Sequence, residues 1–176
     1  MKRLAACFLI AVMVVTFSCA SALASNDEAI YALSSELYKR FPNVNAIKAQ
    51  FNSDDFGDDV TWEETTEPSP HDETLILKHS RMTHPFVEIA TTSYTYEAEE
   101  RFFLTLVRVE EAGFVDFLGI DKGSSKADVI KAFGEPDRAD DEGLHYEDDD
   151  AGYINITFIL DDDDDVWRMR YASYLD

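Results

Sequence analysis

The segment Leu118–Asp137, LGIDKGSSKADVIKAFGEPD, constrains the fold of this chain more than any other stretch. Within one short run it encodes a turn, a helix start, a helix face and a helix stop. Gly123 supplies the turn, and Ser124 or Ser125 can accept hydrogen bonds from the orphan amides that open a helix. With Ser125 as the cap, Asp128 falls three residues on, close to a capping box and near the positive end of the helix dipole. Val129, Ile130 and Phe133 then share one face; Gly134 is expected to close the helix in a left-handed conformation, and Pro136 prevents its resumption. A helix this short and this amphipathic must bury its apolar face against another element. The segment therefore describes a kind of domain and names no activity.

The surface it packs on is legible further along. Tyr153–Leu160, YINITFIL, alternates, with Ile154, Ile156, Phe158 and Leu160 on one face and Tyr153, Asn155, Thr157 and Ile159 on the other. Val166–Tyr171, VWRMRY, sets Trp167, Met169 and Tyr171 against Arg168 and Arg170. Together they predict an antiparallel hairpin with one buried face. Leu144–Glu147, Thr74–His79, Phe86–Thr91 and Phe102–Val109 carry the β-branched and aromatic enrichment of further strands.

The amino-terminal part reads as helical. Ile30, Leu33, Leu37, Tyr38 and Phe41 recur at helical spacing, with Ser25 or Asn26 as the cap and Pro42 as the stop. A second helix is expected over Asn43–Phe51, burying Val44, Ile47 and Phe51. Asn52–Asp59 reads as an acidic turn region, and Glu67–Glu73, with Pro68 and Pro70, as an exposed loop. The fold class is therefore α+β: short amino-terminal helices and one central helix on one face of an antiparallel sheet. AIKAQF followed by VTWEET echoes VIKAFG followed by LHYEDD, which suggests a half-domain duplication, 25–110 and 111–176, inside a single domain of residues 25–176.

Residues 1–24 have the form of a signal peptide: basic Lys2 and Arg3, an apolar run Leu4–Phe17, and the small-x-small site Ala22-Leu23-Ala24. Cleavage after Ala24 predicts a secreted or periplasmic protein beginning at Ser25. The alternative is a lipoprotein anchored through Cys19, and only lipidation there would bring the protein to a membrane. Cleavage after Ala24 removes Cys7 and Cys19 together, leaving no disulfide, thiolate metal site or cysteine nucleophile in the mature domain.

The 36 acidic residues outnumber the 15 basic ones. Such a surface repels phosphate backbones, which excludes nucleic acid as a partner class. Basic proteins and cations are the compatible partners. Asp161–Asp165 invites calcium, but the loop lacks the central glycine and position twelve is Ala172, so a solvated turn is expected there and at Asp148–Asp150. His71, His79, His84 and His145 show no HExxH spacing and read as solvated or singly hydrogen-bonded, so no metal is expected. Ser124 and Ser125 lack a nucleophile elbow and are explained as caps, and no glycine-rich phosphate loop is present. No catalytic residue and no cofactor is expected.

One family resemblance follows from the order of these parts. The glycine turn, Ser-Ser, short helix, FGEP and the strands LHY, INITFIL and VWRMRY resemble the modules of the SmpA/OmlA outer-membrane assembly lipoproteins and of the β-lactamase inhibitor proteins. The residues that carry it are Gly123, Ser125, Val129, Phe133, Gly134, Pro136, Tyr146, Phe158 and Val166, and it covers Gly119–Tyr171. The resemblance implies helices on one face of a small antiparallel sheet, and work done by binding proteins rather than by catalysis. The expectation is thus a non-catalytic interaction module whose partner is another extracytoplasmic protein. Its candidate interaction face is Tyr153, Asn155, Thr157, Arg168 and Arg170. The alternatives are a small secreted hydrolase using paired carboxylates and an acidic calcium-binding protein.

Overall fold

Helix α1 (Asn26–Arg40) starts with Asp27 and Glu28 and ends with Lys39 and Arg40, each charge placed to suit the helix dipole. It buries Ala29, Ile30, Leu33 and Leu37, and Phe41 follows into the core before Pro42 halts the chain. Helix α2 (Val44–Gln50) is capped by Asn43, whose side chain accepts from the Ala46 amide at 2.9 Å. The computed structural model describes residues 26–52, 56, 59–148 and 153–174. The leader with Cys7 and Cys19, Ser25, most of the acidic turn before Asp59, and Asp149 and Asp150 lie outside these residues.

Helix α3 (Lys126–Phe133) carries the complete capping box, Ser125 accepting from the Asp128 amide and Asp128 accepting from that of Ser125. Two hydrogen bonds from Ser125 hold the Asp128 carboxyl below the usual carboxylate range. Ser124 accepts from the Asp121 amide at 3.0 Å, and backbone bonds from Gly123 to Val166 and from Lys126 to Asp164 tie the helix start to the β7–β8 turn described below. Gly134 closes α3 at φ 83° and ψ −170°, a positive φ with an extended ψ rather than the expected left-handed helical conformation. The chain leaves through Pro136 and re-enters the sheet at Arg138.

Eight strands form one antiparallel sheet: β1 (Thr61–Pro68), β2 (Ile76–His84), β3 (Val87–Tyr96), β4 (Glu99–Val109), β5 (Arg138–Asp140), β6 (Gly143–Asp148), β7 (Ile154–Leu160) and β8 (Val166–Ser173). Their spatial order is β1-β2-β3-β4-β8-β7-β6-β5. The fold is thus α+β with its helices on one face of the sheet, and each half is helix followed by a four-strand meander. The halves meet at their last strands, β4 and β8.

The core lies under the helices. Phe133 packs on Phe158 and Tyr146 with ring centroids 4.9 and 5.4 Å away, and all three rings are fully buried. Burial pushes the Tyr146 hydroxyl well above the ordinary phenol range, and that hydroxyl donates to the Gly134 carbonyl. Gly143 opens β6 at φ 134°, where an added Cβ would sit 2.1 Å from the Phe158 carbonyl oxygen, so only glycine fits.

Several boundaries differ from the sequence reading. Strands β1 and β5 were not expected, and Glu67 and Pro68 belong to β1 rather than to the loop. A bulge where Ile159 pairs with Arg168 and Leu160 with Val166 skips Trp167. Val166 therefore enters the core beside Met169 and Tyr171, while Trp167 is only half-buried. The sequence echo is also out of phase with the topology, since VTWEET falls on the first strand of its half and LHYEDD on the second of its own.

Candidate interaction groove on the open sheet face

Strand alternation sends every second side chain away from the helices, and among the described residues no helix covers that face. Between β5 and β8 the face holds a groove of about 550 Å³. Its floor includes Asn155, Thr157 and Ile159 of β7 and His145 of β6, and its walls include Arg138, Tyr153, Arg170 and Tyr174. A volume of this order is typical of ligand-sized clefts.

Four of the expected face residues come together here: Tyr153, Asn155, Thr157 and Arg170. The fifth, Arg168, does not. Its Nε lies 2.8 Å from Glu110 Oε1, an ion-pair distance without an aligned hydrogen bond, and its guanidinium stacks over Trp167 at 4.3 Å. Arg168 belongs to a ladder that crosses the sheet from Arg81 through Glu88, Arg108 and Glu110. The structural set is equally definite: Gly123, Ser125, Phe133, Gly134 and Pro136 build α3 and its exits, away from the groove.

Tyr174 was not singled out from the sequence, and His145 was weighed there only as a metal ligand and read as a solvated or singly bonded ring. Tyr174 lies beyond the alternating run, and its hydroxyl is 3.5 Å from Arg170 Nη2. His145 is buried and has two partners, which corrects the expectation of a solvated or singly bonded ring. Its Nε2 is 3.0 Å from Asp140 Oδ1 and its Nδ1 is 3.4 Å from Thr157 Oγ1. Thr157 in turn donates to Asn155 Oδ1 at 3.0 Å, and Asn155 donates to Glu147 at 3.1 Å. The bond from His145 is the main cause that holds the Asp140 carboxyl below its ordinary range, followed by the Glu142 amide.

The amino half repeats this arrangement. His79 of β2 lies opposite Thr92 of β3, as His145 of β6 lies opposite Thr157 of β7. His79 Nδ1 is 2.9 Å from Thr92 Oγ1, and its Nε2 is 3.3 Å from Glu67 of β1. The edge residue opposite each histidine is Thr65 or Arg138, and each acid stands two residues further along its strand. An acid–imidazole–hydroxyl clamp thus spans three strands in both halves, with the acid hydrogen-bonded to the ring only in the carboxy half, since His79 Nε2 makes no aligned bond to Glu67. The next strand inward separates them: Thr92 faces Phe103, whereas Thr157 faces Arg170.

The remaining titratable clusters have local explanations. Asp161 accepts from the amides of Asp163 and Asp165 and closes the acidic turn, while Lys126 lies 3.8 Å from Asp164. Ligand atoms of Asp140, Glu142 and His145 lie within 4.8 Å of one another, but Arg138 Nη1 is already 2.5 Å from Asp140 Oδ2. His71 is exposed, and His84 packs among Phe56, Phe86 and Phe114. No described helix is long and apolar enough to cross a membrane. Against known family models, curated proteins and solved structures, the chain finds no match.

Proposed function

We propose that this protein is a secreted or periplasmic, non-catalytic interaction module that seats a partner protein on the open face of its carboxy-terminal half-sheet. The observation that carries this reading is the groove, where Tyr153 and Tyr174 stand 48 % and 56 % exposed beside Arg170. Tyrosine and arginine supply contact area and directed hydrogen bonds, and they dominate the energetics of protein interfaces. The resemblance of Gly119–Tyr171 to the SmpA/OmlA and β-lactamase-inhibitor modules points the same way.

A hydrolase would also use an acid, an imidazole and a hydroxyl. Here, however, Thr157 makes its shorter bond as a donor to Asn155 rather than to the imidazole. The second copy of the chain of contacts in the amino half fits a cross-strand clamp better than a catalytic device. The test is capture from envelope extracts by the chain from Ser25 onward, run beside Tyr153→Ala, Arg170→Ala. A partner retained by the first and lost by the second, at unchanged melting temperature, supports the reading; equal retention contradicts it.

A further inference from the structure

Resting on that reading, we infer that the groove recognises a single carboxylate side chain, presented by a net-basic protein surface and seated on Arg170. The argument begins with the charges on the open face. Across β2, β3, β4 and β8, Arg81, Arg108 and Arg168 share two acids, Glu88 and Glu110. Arg170 adds a fourth arginine, placed directly opposite Arg108 in the β4–β8 register. Like charges at directly opposed positions destabilise a sheet. Yet among the described residues Arg170 has no acidic partner, and its one polar contact there is the long bond to the Tyr174 hydroxyl. In a chain with 36 acids, this arginine lines a groove whose own acids, Glu142 and Glu147, form no ion pair with it.

The amino half supplies the internal control. Its clamp is built alike, but Phe103 holds the position equivalent to Arg170 and stacks on Tyr94 with centroids 5.8 Å apart. The clamp therefore needs no arginine beside it. What Arg170 adds is a planar fork of donors, suited to a carboxylate held by two parallel bonds.

The rest of the groove is consistent with such an anchor. Tyr153 and Ile159 offer apolar surface to the chain on either side of the carboxylate. The acids that share the groove, Glu142 and Glu147, together with the overall charge of −21, repel an acidic partner and favour one whose remaining surface is basic. Long-range attraction then selects the partner, and Arg170 selects its register.

Two capped pentapeptides test this, acetyl-KYEYK-amide and acetyl-KYQYK-amide, titrated into the full chain while backbone amide shifts are followed. The glutamate peptide is expected to bind at least fivefold tighter, with saturable shifts at Thr157, Arg170 and Tyr174. Arg170→Gln should erase that preference, and Arg168→Gln should keep it. Equal binding of both peptides in the groove would overturn the carboxylate inference and leave the docking face standing. Shifts mapping to the helical side would overturn both. Absence of saturable shifts at millimolar peptide, or a preference that survives in Arg170→Gln, would overturn the inference as well.

Discussion

The two halves of the sheet share a plan and differ in what they bury. Both set an acid, a histidine and a threonine across three strands, but the His145 side chain is 5 % exposed and bonded at both ring nitrogens, while that of His79 is 35 % exposed and bonded only at Nδ1. The amino half has a long outer edge, β1, guarded by Glu63, Glu64, Glu67 and a terminal Pro68. The carboxy half ends in β5, three residues long, beside the groove. We propose that the halves, 25–110 and 111–176, descend from one duplicated unit. On that proposal, what both halves retain holds the sheet, and what only one carries, Arg170 with Tyr153 and Tyr174, is the face proposed to bind.

The largest expected effect falls on the carboxy half's core. Phe133→Ala should cost about 3 kcal/mol or more in chemical denaturation, because it opens a cavity between Tyr146 and Phe158. The next effect probes the clamps. His145→Ala removes the buried ring that links Thr157 to the exposed Asp140 and should cost about 1–3 kcal/mol, the sum of two hydrogen bonds at about 0.5–1.5 kcal/mol each. His79→Ala, at the more exposed clamp, should cost less than about 1 kcal/mol. Equal costs would break the distinction between the halves.

These elements were unequally legible in the sequence. Helix α3 could be read because each of its signals is local: Ser125, Asp128, Gly134 and Pro136 sit within one segment. The β7–β8 hairpin was visible because Ile154, Ile156 and Phe158 alternate. Strand β1 was hidden because it is an outer strand with only Trp62 partly buried, so TWEETTEP shows no apolar period. The bulge that exchanges Trp167 for Val166 leaves alternation intact on either side and gives no compositional sign. Tyr153, Asn155, Thr157 and Arg170 were found by alternation alone. Missing His145 has a different cause, since its partners Asp140 and Thr157 are set by register between strands. The separations of His79 from Thr92 and of His145 from Thr157 differ, 13 and 12 residues, so the pairing emerges only once the strands are aligned.

Smaller effects sharpen the picture. Replacing Ser124 and Ser125 together with Ala should cost about 1 kcal/mol through lost capping. A melting temperature left unchanged, together with loss of an activity, would return a serine nucleophile to consideration. The acid limb reports on Asp140. Its carboxyl is held below the unfolded value of about 3.9, so its contribution is present above that pH and is lost as the pH falls through the lowered folded value. Between pH 5 and pH 2, approximately, the stability gap between the natural chain and Asp140→Asn should therefore close as the solution is acidified. A gap that widened on acidification would reverse the assigned direction.

The central claim is that one half of the open face binds and the other does not. It is tested most directly by measuring the affinity of the captured partner for two paired variants. Tyr153→Ala with Arg170→Ala, in the carboxy half, should weaken binding by about tenfold or more, as expected for removing two interface anchors. Tyr94→Ala with Phe103→Ala, on the same face of the amino half, should leave the affinity within about twofold of the natural chain, a change of no more than about 0.4 kcal/mol. The reverse pattern, or equal losses in both pairs with the fold intact, would contradict the account.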